Sequence, residues 1–122
     1  MVGRFKDITS DTARTHNGHP QITKVYGFIL GKWDYSEQEL DNLPDVVNNL
    51  RAAEQMITLL GATEETLTII TDPNIAQVRR KILELEEILY DNKKLAEPHN
   101  ILINFYFGGH CQMIKNELHI LL

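Results

Sequence analysis

The chain has 122 residues and a formal net charge of −5, from 12 Lys and Arg against 17 Asp and Glu. Its length suits one domain with a hydrophobic core, and 43% hydrophobic with 24% charged residues is typical of a globular protein. The acidic balance argues against a nucleic-acid partner, and the apolar runs are far shorter than the ~20 residues that span a bilayer. The single cysteine excludes an internal disulfide, and no signal segment is recognisable, so we expect a cytoplasmic protein without a membrane partner.

The first 20 residues differ from the rest of the chain. Residues 1–20 are polar, lack a repeating apolar pattern and end in the turn-forming sequence His16-Asn17-Gly18-His19-Pro20. We predict a polar N-terminal arm over residues 1–20 and one α/β domain over residues 21–122. His16 and His19 have a spacing found in metal sites, but no third ligand completes a pattern nearby. We interpret them as exposed arm residues and expect no metal or other cofactor.

Three segments rich in β-branched and aromatic residues are predicted as strands: residues 22–30, 66–71 and 101–107. The second half of the first segment is almost continuously apolar, which is typical of a central strand buried on both faces. Residues 31–43, around Trp33 and Tyr35, are polar and acidic and are predicted as a loop. Residues 117–122 resemble the beginning of a further strand.

Two helices are predicted between these strands, because apolar residues recur there at spacings of three and four. The first begins near Pro44, with Asp45 in its first turn, and ends at Gly61. Its apolar stripe consists of Val46, Leu50, Ala53, Ile57 and Leu60. The second helix follows the turn pair Asp72-Pro73. Its stripe consists of Ile75, Val78, Ile82, Leu85 and Leu89.

The order strand-helix-strand-helix-strand predicts an α/β fold, a three-layer α-β-α sandwich with a mainly parallel sheet. Its central strands are expected at residues 25–30 and 101–107. An Asp at Ile103 or Phe105 is therefore expected to bury an unpaired charge and unfold the chain.

In an open parallel sheet, functional groups gather at the carboxyl ends of the strands, here residues 31–35, 71–73 and 108–111. Gly31-Lys32 lacks the upstream glycine of a phosphate-binding loop, so nucleotide binding is disfavoured. Asp72 is either an acceptor carboxylate or, more economically, part of a turn before a helix. At the third place, Gly108-Gly109 either presents His110 at the rim of the sheet or forms a turn whose histidine is incidental.

A family resemblance bears on that choice. Its elements are an apolar strand ending in Gly, a loop with a Leu-containing turn, an Asn pair on a helix that ends in Leu-Gly, a strand ending in Thr-Asp, and an aromatic strand before Gly-His. They are Tyr26-Gly27-Phe28-Ile29-Leu30-Gly31, Leu43-Pro44, Asn48-Asn49, Leu59-Leu60-Gly61, Ile70-Thr71-Asp72 and Phe105-Tyr106-Phe107-Gly108-Gly109-His110. In order and spacing, over about one hundred residues, the chain resembles the first half of the caspase-like cysteine peptidases, which include caspases, metacaspases and paracaspases.

The resemblance implies proteolysis of a polypeptide substrate by a Cys-His dyad. His110 matches the acid/base histidine of the family, and Gly109 and Cys111 match the backbone positions around its oxyanion hole. The family's nucleophilic cysteine lies several tens of residues after the histidine, beyond Leu122, so the domain is expected to be truncated before the strand that bears it. Cys111 is not expected to replace it, because neighbouring residues of an extended segment point to opposite sides.

Other departures concern the substrate pocket. Asn49 stands where metacaspases have an Asp, and Gly108 stands where they have a Ser, so two groups that would bind a basic side chain are missing. The alternative is therefore a non-catalytic interaction module with the same fold. Some family members depend on calcium, which is implied here by analogy alone. The apolar end of the chain, residues 118–122, further predicts self-association through an unpaired sheet edge.

Overall fold

The computed structural model describes residues 21–122, so the predicted arm and both of its histidines lie outside the described residues. The described part of the chain contains five strands, two α-helices and one turn of 3-10 helix. They are β1 Lys24–Gly31, the 3-10 helix Ser36–Gln38, α1 Val46–Leu59, β2 Leu67–Thr71, α2 Ile75–Lys93, β3 Ile101–Gly108, β4 Cys111–Ile114 and β5 Glu117–Ile120. In this part of the chain, neither α-helix is long and apolar enough to cross a membrane.

The mixed α/β class and the parallel sheet agree with the sequence. Three strands form the sheet in the order β2-β1-β3, and β1 pairs with β3 from Lys24 opposite Ile101 to Gly31 opposite Gly108. β1 is central, as predicted. The prediction that β3 is also central is wrong for residues 21–122, where β3 pairs with β1 and forms one edge. A run of apolar residues indicates covered faces, but it carries no information about how many edges of the strand are paired.

α1 buries four of the five predicted stripe positions. Val46, Leu50, Ala53 and Ile57 are buried, whereas Leu60 is 50% exposed. Leu60 is the C-cap of the helix, and the next residue, Gly61, has a φ of +117° that side chains disfavour. Leu60 therefore lies beyond the last helical turn, where the periodic stripe no longer applies.

α2 begins with a reciprocal cap. The side chain of Asn74 accepts a hydrogen bond from the backbone N–H of Gln77, and Gln77 Oε1 accepts one from the N–H of Asn74, both at 2.9 Å. Of the predicted stripe, Val78 is buried and the last three positions are half-buried. Ile75, in the first turn, is 55% exposed and does not belong to the core.

The buried side chains form two clusters that share β1. Val25 and Ile29 pack with the buried stripe of α1 and with Ala62. Phe28 and Leu30 pack with Val78 of α2. Because successive side chains of a strand point to opposite faces, β1 supplies alternate residues to the two clusters.

The predicted final strand exists as β5, but its partner β4 is not predicted from the sequence. The two strands are antiparallel, with Ile114 opposite Glu117 across the two-residue turn Lys115-Asn116. Both turn residues have positive φ, 49° and 65°, which is the type I′ geometry that matches the twist of a hairpin. Such turns usually contain glycine, and its absence hides the hairpin in the sequence.

Candidate functional site

The three segments that follow the parallel strands are joined by hydrogen bonds at the carboxyl end of the sheet. The N–H of Lys32, after β1, donates to Gly108 O at 2.9 Å, and the N–H of Asp72, after β2, donates to Gly31 O at 2.7 Å. The structure therefore brings together the three places that the sequence analysis selected.

Asp72 anchors the loop that follows β1. Its Oδ1 accepts hydrogen bonds from the backbone N–H groups of Trp33 at 3.0 Å and Asp34 at 3.1 Å. The residue adopts a left-handed backbone with a φ of 44°, which Asp tolerates better than most residues. The turn interpretation is thus extended: Asp72 both precedes the helix and positions the loop of residues 32–43.

Tyr35 occupies the centre of the site, although the sequence analysis placed it in a polar loop. Its side chain has no exposed surface. The hydroxyl accepts a hydrogen bond from the N–H of His110 at 2.8 Å and donates one to Leu121 O at 2.9 Å. Burial raises the pKa of this hydroxyl above its ordinary value of 10.0. An aromatic residue within a polar, acidic segment is the signal that could have identified it.

The imidazole of His110 is held by two contacts. Its ring lies edge-on to the ring of Tyr35, with centroids 4.5 Å apart, and its Nε2 lies 2.8 Å from the backbone oxygen of Asp41. A carbonyl oxygen can only accept, so this hydrogen bond requires a proton on Nε2. In the neutral imidazole, Nδ1 then carries the lone pair and is the nitrogen able to take up a proton.

The two glycines before His110 fit tightly against their surroundings. A Cβ on Gly109 would lie 2.5 Å from Tyr35 Oη and 2.6 Å from Phe107 Cζ, so a side chain does not fit there. A Cβ on Gly108 would lie 3.3 Å from Val46 Cγ1, at the start of α1. The absence of side chains at these two glycines therefore allows close approach, to Tyr35 on one side and to α1 on the other.

Cys111, the first residue of β4, is exposed and lies opposite Ile120. The N–H of Leu121 donates to His110 O at 2.9 Å, and alternate pairs of an antiparallel ladder share such bonds. The Cys111–Ile120 pair is therefore of the non-hydrogen-bonded kind. The backbone N–H of Cys111 consequently points away from β5.

The remaining predicted pocket residue, Asn49, is exposed on α1. It lies one helical turn after Val46, and its N–H donates to Asp45 O at 3.2 Å. The structure thus places Asn49 on the helix whose first residue packs on Gly108. Its side chain faces solvent at this end of the helix.

The loop between β1 and α1 is acidic, and one of its carboxylates is held locally. Asp34 Oδ1 accepts hydrogen bonds from Ser36 Oγ at 2.6 Å and from the Ser36 N–H at 3.1 Å, and these bonds lower the pKa of Asp34. Within residues 21–122, no three His, Cys, Asp or Glu side chains are grouped so as to hold a metal ion.

Comparisons of the chain with models of known families, with curated proteins and with solved structures found no match.

Proposed function

We propose that residues 21–122 belong to a caspase-like cysteine endopeptidase domain in which His110 is the acid/base. One observation carries the proposal: His110 follows Gly108-Gly109 at the carboxyl edge of a parallel sheet, with Nε2 bound to Asp41 O at 2.8 Å. This arrangement leaves Nδ1 as the nitrogen for proton transfer, which is what an acid/base histidine needs.

The three-layer α-β-α architecture is part of the same proposal. Support comes from the two core clusters, since Val25 and Ile29 pack with α1 while Phe28 and Leu30 pack with α2. Helices on opposite faces of the sheet account for this alternation.

In the proposed reaction, His110 takes the proton of a thiol, the thiolate attacks the peptide carbonyl, and His110 gives the proton to the leaving amine as the C–N bond breaks. Water then hydrolyses the thioester and restores the thiol. Backbone N–H groups stabilise the negative charge on the carbonyl oxygen. Cys111 is a candidate donor because its N–H points away from β5, and Gly109 is the other backbone candidate.

The nucleophile of this reaction is not assigned to Cys111, the single cysteine of the chain. Cys111 directly follows His110, and adjacent residues of an extended segment project to opposite sides. The thiol has to come from outside these 122 residues, so we expect no peptidase activity from the chain as given.

The test uses the gene product with whatever sequence follows Leu122, and the 122-residue chain beside it, on peptides with Asp, Arg or Lys at P1. We expect turnover only in a longer product that supplies a cysteine at the end of a further strand, and we expect His110→Ala to abolish it. His119→Ala is the matched control, because His119 lies in β5 and its Nε2 is 3.7 Å from Glu117 Oε2. Activity that survives His110→Ala would refute the proposed role. The same assay with a calcium chelator tests whether the activity of the longer product depends on calcium.

A second candidate is a cytoplasmic, non-catalytic interaction module with the same fold. It is favoured by the contact of Gly108 with α1: a serine at this position would need Val46 to move, because the Cβ alone would lie 3.3 Å from Val46 Cγ1. Asn49 adds a second lost pocket group. A gene that offers no further strand with a cysteine, together with capture of one defined protein partner, would favour this candidate.

A further inference from the structure

The hairpin β4–β5 and Tyr35 share a hydrogen-bond arrangement that strand pairing alone does not explain. With Cys111 opposite Ile120, the preceding pair in the register is His110 opposite Leu121. In a regular antiparallel ladder this pair would exchange two backbone hydrogen bonds. One of them is present, from the N–H of Leu121 to His110 O at 2.9 Å.

The second hydrogen bond of this pair is replaced by the Tyr35 hydroxyl. The N–H of His110 donates to Tyr35 Oη at 2.8 Å, and Tyr35 Oη donates to Leu121 O at 2.9 Å. The hydroxyl is therefore inserted between the two backbone groups that would otherwise bond to each other. It acts as both acceptor and donor, which only a neutral hydroxyl can do.

The same side chain also contacts the imidazole. The Tyr35 and His110 rings are edge-on at 4.5 Å, while the N–H of Tyr35 donates to Asn42 Oδ1 at 2.8 Å. Asn42 is adjacent to Asp41, whose carbonyl oxygen binds His110 Nε2. Tyr35 therefore contacts His110 directly at the backbone N–H and at the imidazole ring. It also acts indirectly, through the loop whose Asp41 carbonyl oxygen binds Nε2.

We propose that Tyr35 is the positioning residue of His110. Its hydroxyl is inserted between His110 and Leu121 and fixes the backbone of His110. The imidazole is thereby held with Nε2 bonded to Asp41 O and with Nδ1 left for proton transfer. The inference rests on the proposed acid/base role of His110, but the placement of the ring can be measured without any peptidase activity.

The experiment compares isotope-labelled full-length chains by NMR: wild type, Tyr35→Phe and Tyr106→Phe. Both variants lose one hydroxyl, and that of Tyr106 forms no hydrogen bond within residues 21–122. The readouts are water-exchange rates of the His110 imidazole N–H and backbone N–H, measured where the amides of β1 remain protected. In Tyr35→Phe we expect both His110 protons to exchange roughly tenfold faster, as the loss of one buried hydrogen bond implies. In Tyr106→Phe we expect wild-type rates.

Protected β1 amides separate positioning from general destabilisation. A folded Tyr35→Phe chain with a wild-type exchange rate at the His110 imidazole would overturn the proposal. If Tyr35→Phe does not fold, the wild-type chain still decides it: a slowly exchanging Tyr35 hydroxyl proton, with cross-relaxation to the His110 amide and ring, is expected, and its absence refutes the bridge. A released imidazole in Tyr35→Phe, together with an inactive longer gene product, would refute the peptidase function and leave the positioning intact.

Discussion

At the scale of single residues, the contact between Gly109 and Tyr35 determines how closely β3 can end beside the loop. Tyr35 Oη lies 2.5 Å from the position that a Gly109 Cβ would occupy. The Tyr35 ring is fully buried and cannot move into solvent without breaking its hydrogen bonds to His110 and Leu121. The buried position of Tyr35 therefore requires that residue 109 has no side chain.

Gly109→Ala is expected to lower the free energy of unfolding by about 1–3 kcal/mol, because the added methyl group overpacks a site that cannot expand. Gly108→Ala is the matched control, since its Cβ would meet Val46 Cγ1 at a more tolerable 3.3 Å. Urea unfolding of the two variants measures the difference. Equal losses would contradict the assignment of the tight contact to Gly109.

The buried Tyr35 hydroxyl predicts a loss of stability at alkaline pH. Burial raises its pKa in the folded chain above the ordinary value of 10.0 that applies when the chain is unfolded. A raised folded-state pKa contributes stability that is complete below pH 10.0 and is lost as the pH rises through the folded value. Above pH 10.0, the unfolding free energy of the wild type is therefore expected to fall more steeply than that of Tyr35→Phe. Denaturant unfolding across this pH range measures both slopes. Parallel curves for wild type and Tyr35→Phe would contradict the prediction.

At the scale of elements, the position of a strand in the sheet separates residues that look alike in sequence. Ile29 of central β1 is fully buried, whereas Phe105 of β3 is 44% exposed, with its ring 5.3 Å from that of Phe28. The expectation that Asp at Phe105 would bury a charge is therefore wrong, because a carboxylate there reaches water. β3 has a strand sequence, but the face bearing Phe105 is only partly covered.

Ile29→Asp is expected to unfold the chain, because it places an unpaired carboxylate between β1 and α1 at a cost of several kcal/mol. Phe105→Asp is the matched variant and is expected to lose only part of the contact with Phe28 and to remain folded. Circular dichroism during thermal unfolding distinguishes them. A cooperative transition at the wild-type temperature in Ile29→Asp would show that the assignment of β1 as the central strand is wrong.

At the scale of the whole molecule, apolar surface remains at the hairpin and at the sheet edge. Met113 and Leu118 lie opposite each other in the hairpin and are 62% and 55% exposed. Phe105, on the edge strand β3, is 44% exposed. Such groups favour covering by another chain, and the net charge of −5 is screened over ~8 Å at physiological salt.

We therefore expect self-association, to which the exposed apolar side chains of the hairpin contribute. The double variant Met113→Lys with Leu118→Glu should reduce it, because opposite charges keep the cross-strand pair while removing apolar surface. Met56→Lys with Leu59→Glu on α1 is the control, since these side chains are also exposed but lie away from the hairpin. Light scattering across a tenfold concentration range measures the mass. A wild-type monomer of 14 kDa throughout that range would contradict the expectation.

Features that depend on neighbouring residues could be predicted from the sequence. Periodic spacing identified most of the α1 stripe, β-branched and aromatic content identified β1 to β3, and the glycine pair marked the end of β3 just before His110. These predictions succeed because helix and strand periods are local, and because turns are dictated by the few residues that form them.

Contacts between distant parts of the chain could not be predicted in this way and depend on the tertiary fold. Tyr35 meets His110 and Leu121 across 75 and 86 residues, and Asp72 reaches back 39 and 38 residues to Trp33 and Asp34. The edge position of β3 and the pairing of β4 are also relations between segments. A single sequence contains no periodic signal for such contacts, because a hydrogen bond between distant residues depends on how the elements pack and not on the spacing within either one.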